Sequence, residues 1–479
     1  MALTLYHCDT IGPGQNRILL FGSSASALAY DWSPIQKDYL QRCFNESLWT
    51  VQVNHFDRMD LVVVPEAGKS GPDLLESVRQ MGAEITALAG RLKWTDAVLV
   101  DQDPASSLAD CLLEGMLLSS YQFLKYFSKP NSKALTFEKL GILNGDSLKV
   151  RALQTTAEAV FLARNLVNEP VSWLNAPRLA EELSRVGTEA GLAVEVFDKA
   201  RIEALKMEGL LAVNKGSIDP PRFIIMTWEP ESPVNSSPLV LVGKGVMFDT
   251  GGLSLKPTPG SMDEMKTDMA GAAAVAGTMI ALARLNLPVR AIALIPATDN
   301  RPDGNAYVPG DVIQFQDGTT VEVLNCDAEG RLILADALLY AGRYQPDLVI
   351  DLATLTGSAQ VALGPHASAA MGTAPDELFK KLEEAAFNTW ERIVRFPLWT
   401  DYGKMLESEI ADLKNIGGRY AGAITAGKFL ERFTSYPWIH LDIAGTAFTA
   451  TRDSYRGIGA TGTGVRLLID FVRKNYLDN

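Results

Sequence analysis

Histidine and cysteine are scarce in this chain of 479 residues, with four of each. His7, His55, His366 and His440 include no pair at the spacing of helix-borne zinc ligands, which nearly excludes a histidine-built metal site. Cys8, Cys43, Cys111 and Cys326 lie far apart and form no CxxC pair, a pattern that suits a reducing cytosol. No window of eighteen uncharged apolar residues occurs, so no apolar helix is expected to cross a membrane. The first residues, MALTLYHCDTIGPG, lack a basic stretch followed by an apolar run, and no secretory signal is expected there. A basic excess is missing as well. Acidic residues outnumber basic ones by 57 to 44, giving a formal net charge of −13. Such a surface repels phosphate backbones, so nucleic acid is not an expected partner. The expectation is a soluble, cytoplasmic protein.

What is present is ordinary globular composition, 47% hydrophobic and 21% charged, enough to bury a large core. At about 150 residues per domain, the length points to two or three domains. Up to residue 150, the apolar runs LVVVPEAG (61–68) and AVLVDQD (97–103) read as buried strands. Between them, residues 73–92 carry apolar positions at helical spacing. This predicts an N-terminal α/β domain over 1–150. A helical stretch at 149–168, stopped by Glu169-Pro170, predicts a connecting helix over 151–170.

From 171 to 479 the alternation is stronger. β-rich runs at 237–246, 289–298, 319–327, 346–357 and 438–445 are separated by helical patterns at 271–285, 330–343 and 424–436. The prediction is a larger catalytic α/β domain with a mixed central sheet flanked by helices. Ligands in such sheets bind beyond the carboxyl ends of the strands.

Two glycine motifs invite nucleotide readings and support neither. GAITAGK (422–428) has phosphate-loop spacing, but Phe429 replaces the metal-binding hydroxyl and the segment reads as helix. GIGATG (457–462) follows TRDSYR, which is no buried strand, and leaves no room for a second strand. A flexible glycine loop is expected there.

Charged side chains gather directly after predicted strands in two places. In VGKGVMFDTGGLSLKPTPGSMDEMKTDMAGAAAV, Lys244 ends an apolar strand and Asp249, Lys256 and Asp268 follow. In VEVLNCDAEGRLILADAL, Asp327, Glu329 and Arg331 sit between a strand and a helix. If the chain is extended there, alternation points Asp327 and Glu329 toward one cavity. A single such pair is as readily a solvated turn. Four carboxylates converging on one site, however, require cations between them. Two divalent ions about 3.5–4 Å apart would meet that need. All-oxygen ligation leans toward manganese, magnesium or zinc.

At these residues the chain resembles the leucyl aminopeptidases, the M17 metallopeptidase family. NCDAEGRL (325–332) is similar to the family's signature octapeptide. VGKGVMFDTGGLSLKP, MKTDMAGAAAV, DLATLTGSAQVALG, ADLKNIGGRYAGAITAGKFL and WIHLDIAGTAF resemble its other blocks, in order, from NLVNEP near 165 almost to the C-terminus. One departure is Cys326, where the family usually has threonine. Strand alternation would turn it away from its acidic neighbours.

The resemblance implies an aminopeptidase that removes leucine or another apolar first residue by means of a metal-bridged hydroxide. It implies one ion held by Lys244, Asp249, Asp268 and Glu329, and a second held by Asp249, Asp327 and Glu329. Either Mn²⁺ or Zn²⁺ would serve. Lys256 corresponds to the family's oxyanion-stabilising lysine, and Arg331 to the arginine that anchors a bicarbonate acting as general base. Met265, Asn325, Thr354, Leu355, Ile416 and Ala444 match the substrate pocket. Peptides with a free N-terminus are the implied partners, and a homohexamer the implied assembly. A catalytically silent relative acting as a binding or structural protein is the competing class, but it would be free to lose ligands that are all intact here. An accessory DNA-binding role would need a basic stripe that the net charge does not advertise.

Overall fold

The apolar run at 61–68 is the end of a parallel strand, Met59–Val63. The computed structural model, which describes residues 2–477, places it in the first of two compact units. That unit runs to Phe161 and also takes in Thr451–Gly457. Its six-stranded sheet has the order Thr4–Cys8, Lys139–Leu143, Asp96–Asp101, Arg17–Leu20, Met59–Val63, Thr50–Asn54. Only the last strand is antiparallel to its neighbour. The stretch 451–457 belongs here because the Tyr455 hydroxyl donates to the buried Glu76 carboxylate at 3.0 Å. No sequence signal marked that return. The predicted connector forms a helix, Ser147–Asn168, and the two units divide inside it.

The second unit comprises Leu162–Ala450 and the chain from Ile458 onward. It is built on a nine-stranded mixed sheet. At its centre lie four parallel strands in the order Trp438–Asp442, Leu348–Ala353, Leu239–Gly243, Ala291–Asn300. All four are fully buried, which explains their near-continuous apolar sequences. Gly245–Asp249 continues the line of Leu239–Gly243 and pairs further along Ala291–Asn300. Lys244 sits at the break between the two pieces. Its backbone N–H donates to Leu352 O and its carbonyl accepts from Ala272 N. Helices Ala270–Arg284 and Glu329–Ala341 are buried along nearly their whole lengths, as their apolar composition requires.

Two sequence expectations need correcting. The run 319–327 supplies only a short strand, Thr320–Glu322, and this belongs to a separate three-stranded sheet with Val312–Gln314 and Leu413–Lys414. Residues 326 and 327 form a turn, and Glu329 opens a helix. Strand alternation therefore does not orient Cys326, Asp327 or Glu329. The stretch read as a flexible glycine loop contains a strand, Gly457–Ala460, paired with Phe448–Asp453. No residue of Phe448–Asp453 is buried and three in a row are exposed, which hides that partner from a hydrophobicity reading. By contrast, 422–428 is helical as expected, within Gly422–Glu431.

One close approach fixes the site to the sheet. A Cβ on Gly271 would lie 2.0 Å from Leu352 O and 3.0 Å from Lys244 N. Gly271→Ala must therefore lift helix Ala270–Arg284 off the parallel strands. Thermal unfolding should show a loss of about 1–3 kcal/mol, typical of overpacking. An unchanged midpoint would contradict this packing.

Candidate metal centre

The charged residues singled out from sequence gather beyond the carboxyl ends of the central strands and around the starts of the two helices beside them. Lys244 follows Leu239–Gly243, and Asp249 ends the continuation Gly245–Asp249. The chain then turns through Gly251 and Gly252, both at positive φ, and reaches Lys256. Such backbone is open to glycine and strained for other residues. Asp268 lies in the 3₁₀ segment Met262–Met269 that leads into helix Ala270–Arg284.

The structure brings these groups together. Lys244 Nζ lies 2.7 Å from Asp268 Oδ1, 2.9 Å from Glu329 Oε1 and 3.0 Å from Thr354 O. Lys256 Nζ lies 2.9 Å from Asp249 Oδ2 and 2.5 Å from Asp327 Oδ1. Gly330 makes room for Lys244, since a Cβ there would stand 2.5 Å from Lys244 Cε. Among the described residues, Asp249, Asp268 and Glu329 form the one group of acids that could share a metal ion, with ligand oxygens within 4.8 Å of one another. All three are buried. Among the described residues, Asp268 Oδ2 and Glu329 Oε2 have no hydrogen-bond partner.

The electrostatics follow from that crowding. Burial, then repulsion from Glu329, raises the Asp249 carboxyl above its ordinary range. Burial raises Asp268 well above it, against the pull of Lys244. Burial, together with Asp249 and Glu329, pushes Asp327 up to about 7. Burial works against ionised Glu329 too, but Lys244 and Lys256 outweigh it and hold that carboxyl below its usual value. Burial disfavours both ammonium groups, yet the surrounding carboxylates prevail and raise them. Four carboxylates thus face two ammonium groups, leaving two negative charges in a buried volume. Divalent cations fit this excess, the oxygen donors and the unpartnered Asp268 and Glu329 oxygens. The same carboxylates stabilise the proton on Lys244. Its amine can act as a ligand only if that proton leaves when an ion binds.

Arg331 lies one turn into helix Glu329–Ala341, in the same region. Its Nη1 donates to Asn415 O at 2.8 Å, while its buried Nε has no partner. Burial draws this guanidinium down to about 10, against the pull of Glu329, Asp442 and Asp327.

The six residues matched to a substrate pocket are all half-buried. Thr354 donates its hydroxyl to Asp268 Oδ1 at 2.8 Å. Asn325 Oδ1 accepts from Asp327 N at 2.8 Å. The backbone N–H groups of Leu355 and Ala444 both donate to Asp442 Oδ1. Ile416 follows Asn415, and Met265 precedes Asp268 on the 3₁₀ segment.

Sequence reasoning missed the residues that hold these loops. Buried Asn415 accepts from Leu324 N and donates to Asn325 O at 2.7 Å. Asp442 also accepts from the Thr356 hydroxyl at 2.7 Å. Asn300 donates to Asp249 Oδ1 at 2.8 Å, and the Tyr307 hydroxyl donates to Cys326 O at 2.6 Å. Cys326 itself is buried, with Sγ 3.3 Å from Tyr307 O. The available signal was position, since Asn300 and Asp442 each end a central strand. His440 lies within the sheet, its Nδ1 2.6 Å from Asp351 Oδ1, and takes no part in the acid cluster.

Comparison with known proteins agrees with this geometry. Residues 161–469 match the model of the catalytic domain of the cytosol aminopeptidase family. A probable cytosol aminopeptidase of Syntrophotalea carbinolica is 47% identical over 380 residues, covering 78% of this chain and 76% of its own. One from Geobacter sulfurreducens is 44% identical over 423 residues, covering 86% and 84%. Among solved structures, a tomato leucine aminopeptidase variant superposes with a TM-score of 0.86 at 29% identity, covering 99% of this chain and 97% of its own. The bottromycin maturation enzyme BotP in complex with Mn gives 0.84 at 33%, covering 96% and 99%. The chain belongs to the cytosol aminopeptidase family and is a metallo-aminopeptidase, acting on peptides at their N-termini with divalent metal.

Proposed function

We propose that this aminopeptidase removes leucine and other apolar first residues with two divalent ions, Mn²⁺ or Zn²⁺, held by Lys244, Asp249, Asp268, Asp327 and Glu329. The observation that carries this reading is the buried triad Asp249, Asp268 and Glu329, with ligand oxygens within 4.8 Å and a net negative charge. When bound, the ions supply Lewis acidity for the scissile carbonyl and lower the pKa of water.

The chain's own residues do the rest. Asp249 and Glu329 would contribute to holding both ions, Asp268 and Lys244 to one, and Asp327 to the other. Lys256 reaches both Asp249 and Asp327, 2.9 and 2.5 Å away, and brings a fixed positive charge to where an oxyanion develops. Arg331 keeps a buried Nε free, which suits it to a planar anion such as bicarbonate acting as general base. Half-buried Met265, Asn325, Thr354, Leu355, Ile416 and Ala444 supply a pocket wall that is partly apolar and partly anchored through Asp442. Residues 171–479 constitute the catalytic domain and 1–150 a separate N-terminal domain.

A cytoplasmic location is supported by the cytosol aminopeptidase relatives and by four cysteines that form no disulfide among the described residues. A homohexamer is supported by the family resemblance and by exposed apolar side chains on the catalytic unit, Trp399, Ile410 and Tyr420 among them.

Chelation should abolish hydrolysis of leucine anilide, and Mn²⁺, Zn²⁺ or Co²⁺ should restore it. A panel of aminoacyl anilides should favour leucine over aspartate by at least about tenfold, as an apolar pocket requires. Activity indifferent to both chelation and metal return would contradict the reading. Lys256→Ala should lower kcat by about 10²–10³-fold, the usual loss when one oxyanion donor is removed. Metal content should stay intact, because the substitution frees an Asp249 and an Asp327 oxygen. Loss of metal with loss of turnover would assign Lys256 to the ion site instead.

A further inference from the structure

Asn300 is fully buried at the end of strand Ala291–Asn300, opposite Asp249 in the parallel pairing with Gly245–Asp249. A register irregularity between Val246 and Asp249 sets this pairing. From there one amide nitrogen reaches two different loops. Asn300 Nδ2 donates to Asp249 Oδ1 at 2.8 Å and to Cys326 O at 2.9 Å. Both partners are acceptors, so only the nitrogen end of the amide can face them. The oxygen end is buried with no partner among the described residues. It points at Gly252, where a Cβ would lie 2.8 Å from it. A buried carbonyl left unsatisfied is rare enough to need a reason. The chemistry at the other end of the amide provides it.

Asp249 Oδ1 also accepts from Gly251 N at 2.8 Å. Two donors therefore occupy Oδ1, while Oδ2 meets only the Lys256 ammonium at 2.9 Å. The Asn300 main chain adds to the clamp, its carbonyl accepting from both Thr250 N and the Thr250 hydroxyl. The second loop is the one that carries Asp327, since Cys326 O belongs to the peptide bond leading into it.

We propose that Asn300 is a positioning residue that fixes which oxygen of Asp249 faces the metal ions and ties the Asp249 loop to the Asp327 loop, so that both ion sites are preorganised together. The proposal rests on Asp249 and Asp327 being metal ligands. Partners of this kind orient a ligating carboxylate, and their loss typically lowers metal affinity by about 10–100-fold. Asn300→Asp is nearly isosteric and turns the donating end into a second acceptor against Asp249 and Cys326 O. Asn300→Ser removes the donor without adding charge. Tyr307→Phe is the matched control, because it removes the other donor to Cys326 O and none to Asp249.

The experiment is calorimetric titration of the metal-stripped full chain with Mn²⁺ alone, with circular dichroism to confirm that each variant is folded. Wild type should take up two ions. Asn300→Asp should bind about 10–100-fold more weakly, and Tyr307→Phe should stay within about threefold of wild type. If the Asp variant does not fold, Asn300→Ser carries the same expectation. Folded Asn300 variants with wild-type affinity would overturn the inference while leaving the two-ion reading in place. Equal losses in Asn300→Asp and Tyr307→Phe would overturn it too, placing the effect on the Cys326 carbonyl. Wild-type chain that takes up no manganese would overturn the two-ion reading itself, and this inference with it.

Discussion

Four carboxylates, on Asp249, Asp268, Asp327 and Glu329, share one largely buried region with two ammonium groups, and the unbalanced negative charge constrains everything around it. A buried excess of charge is unfavourable by several kcal/mol per unpaired ion, so it is met either by a cation or by protonation of the carboxylates themselves. The burial of these groups follows from the sheet. Four parallel strands with no exposed face end at the same edge, and the chain leaving them has only that edge in which to place polar side chains. Close helix packing seals the region. Gly271 lets one helix touch Leu352, and Gly330 leaves room for the Lys244 side chain.

The two lysines have different surroundings despite similar pairings. Lys244 is almost fully enclosed, between Asp268, Glu329 and the Thr354 carbonyl. On the proposed reading, an amine in that place would give up its proton to a metal without leaving the cluster. Lys256 sits on a turn with more exposure and touches only the outer pair, Asp249 and Asp327. A cation there keeps its charge and remains accessible to a substrate. On that reading, burial separates a ligand from a catalytic charge among residues of the same type.

The charged residues of the cluster were legible in sequence because the signal is local: charge set among apolar and glycine-rich segments, where it needs a reason to be buried. Lys244 carries it most plainly, one glycine beyond the apolar strand, with Asp249 in the same run, while Asp268, Asp327 and Glu329 stand just before or at the start of apolar helices. The reason given for Asp327 and Glu329 did not hold, since a turn and a helix start orient them where an extended chain was expected. The residues that aim the ligands were not legible. Asn300 is 51 positions from Asp249, and Asn415 is 90 from Asn325, so their roles exist only once the sheet has formed. Neutral amides also give no warning of the kind a buried charge gives. In the first unit, Thr451–Gly457 was missed for a similar reason, because its partner is distant in sequence, with Tyr455 and Arg456 both meeting Glu76.

The central claim is that the charge excess is met by two ions between the same acids. Anomalous diffraction from crystals soaked in Mn²⁺ tests it most directly. The account predicts two peaks about 3.5–4 Å apart, one among Lys244, Asp249, Asp268 and Glu329 and the other between Asp249, Asp327 and Glu329. A single peak away from these residues, or none at saturating metal, would contradict it.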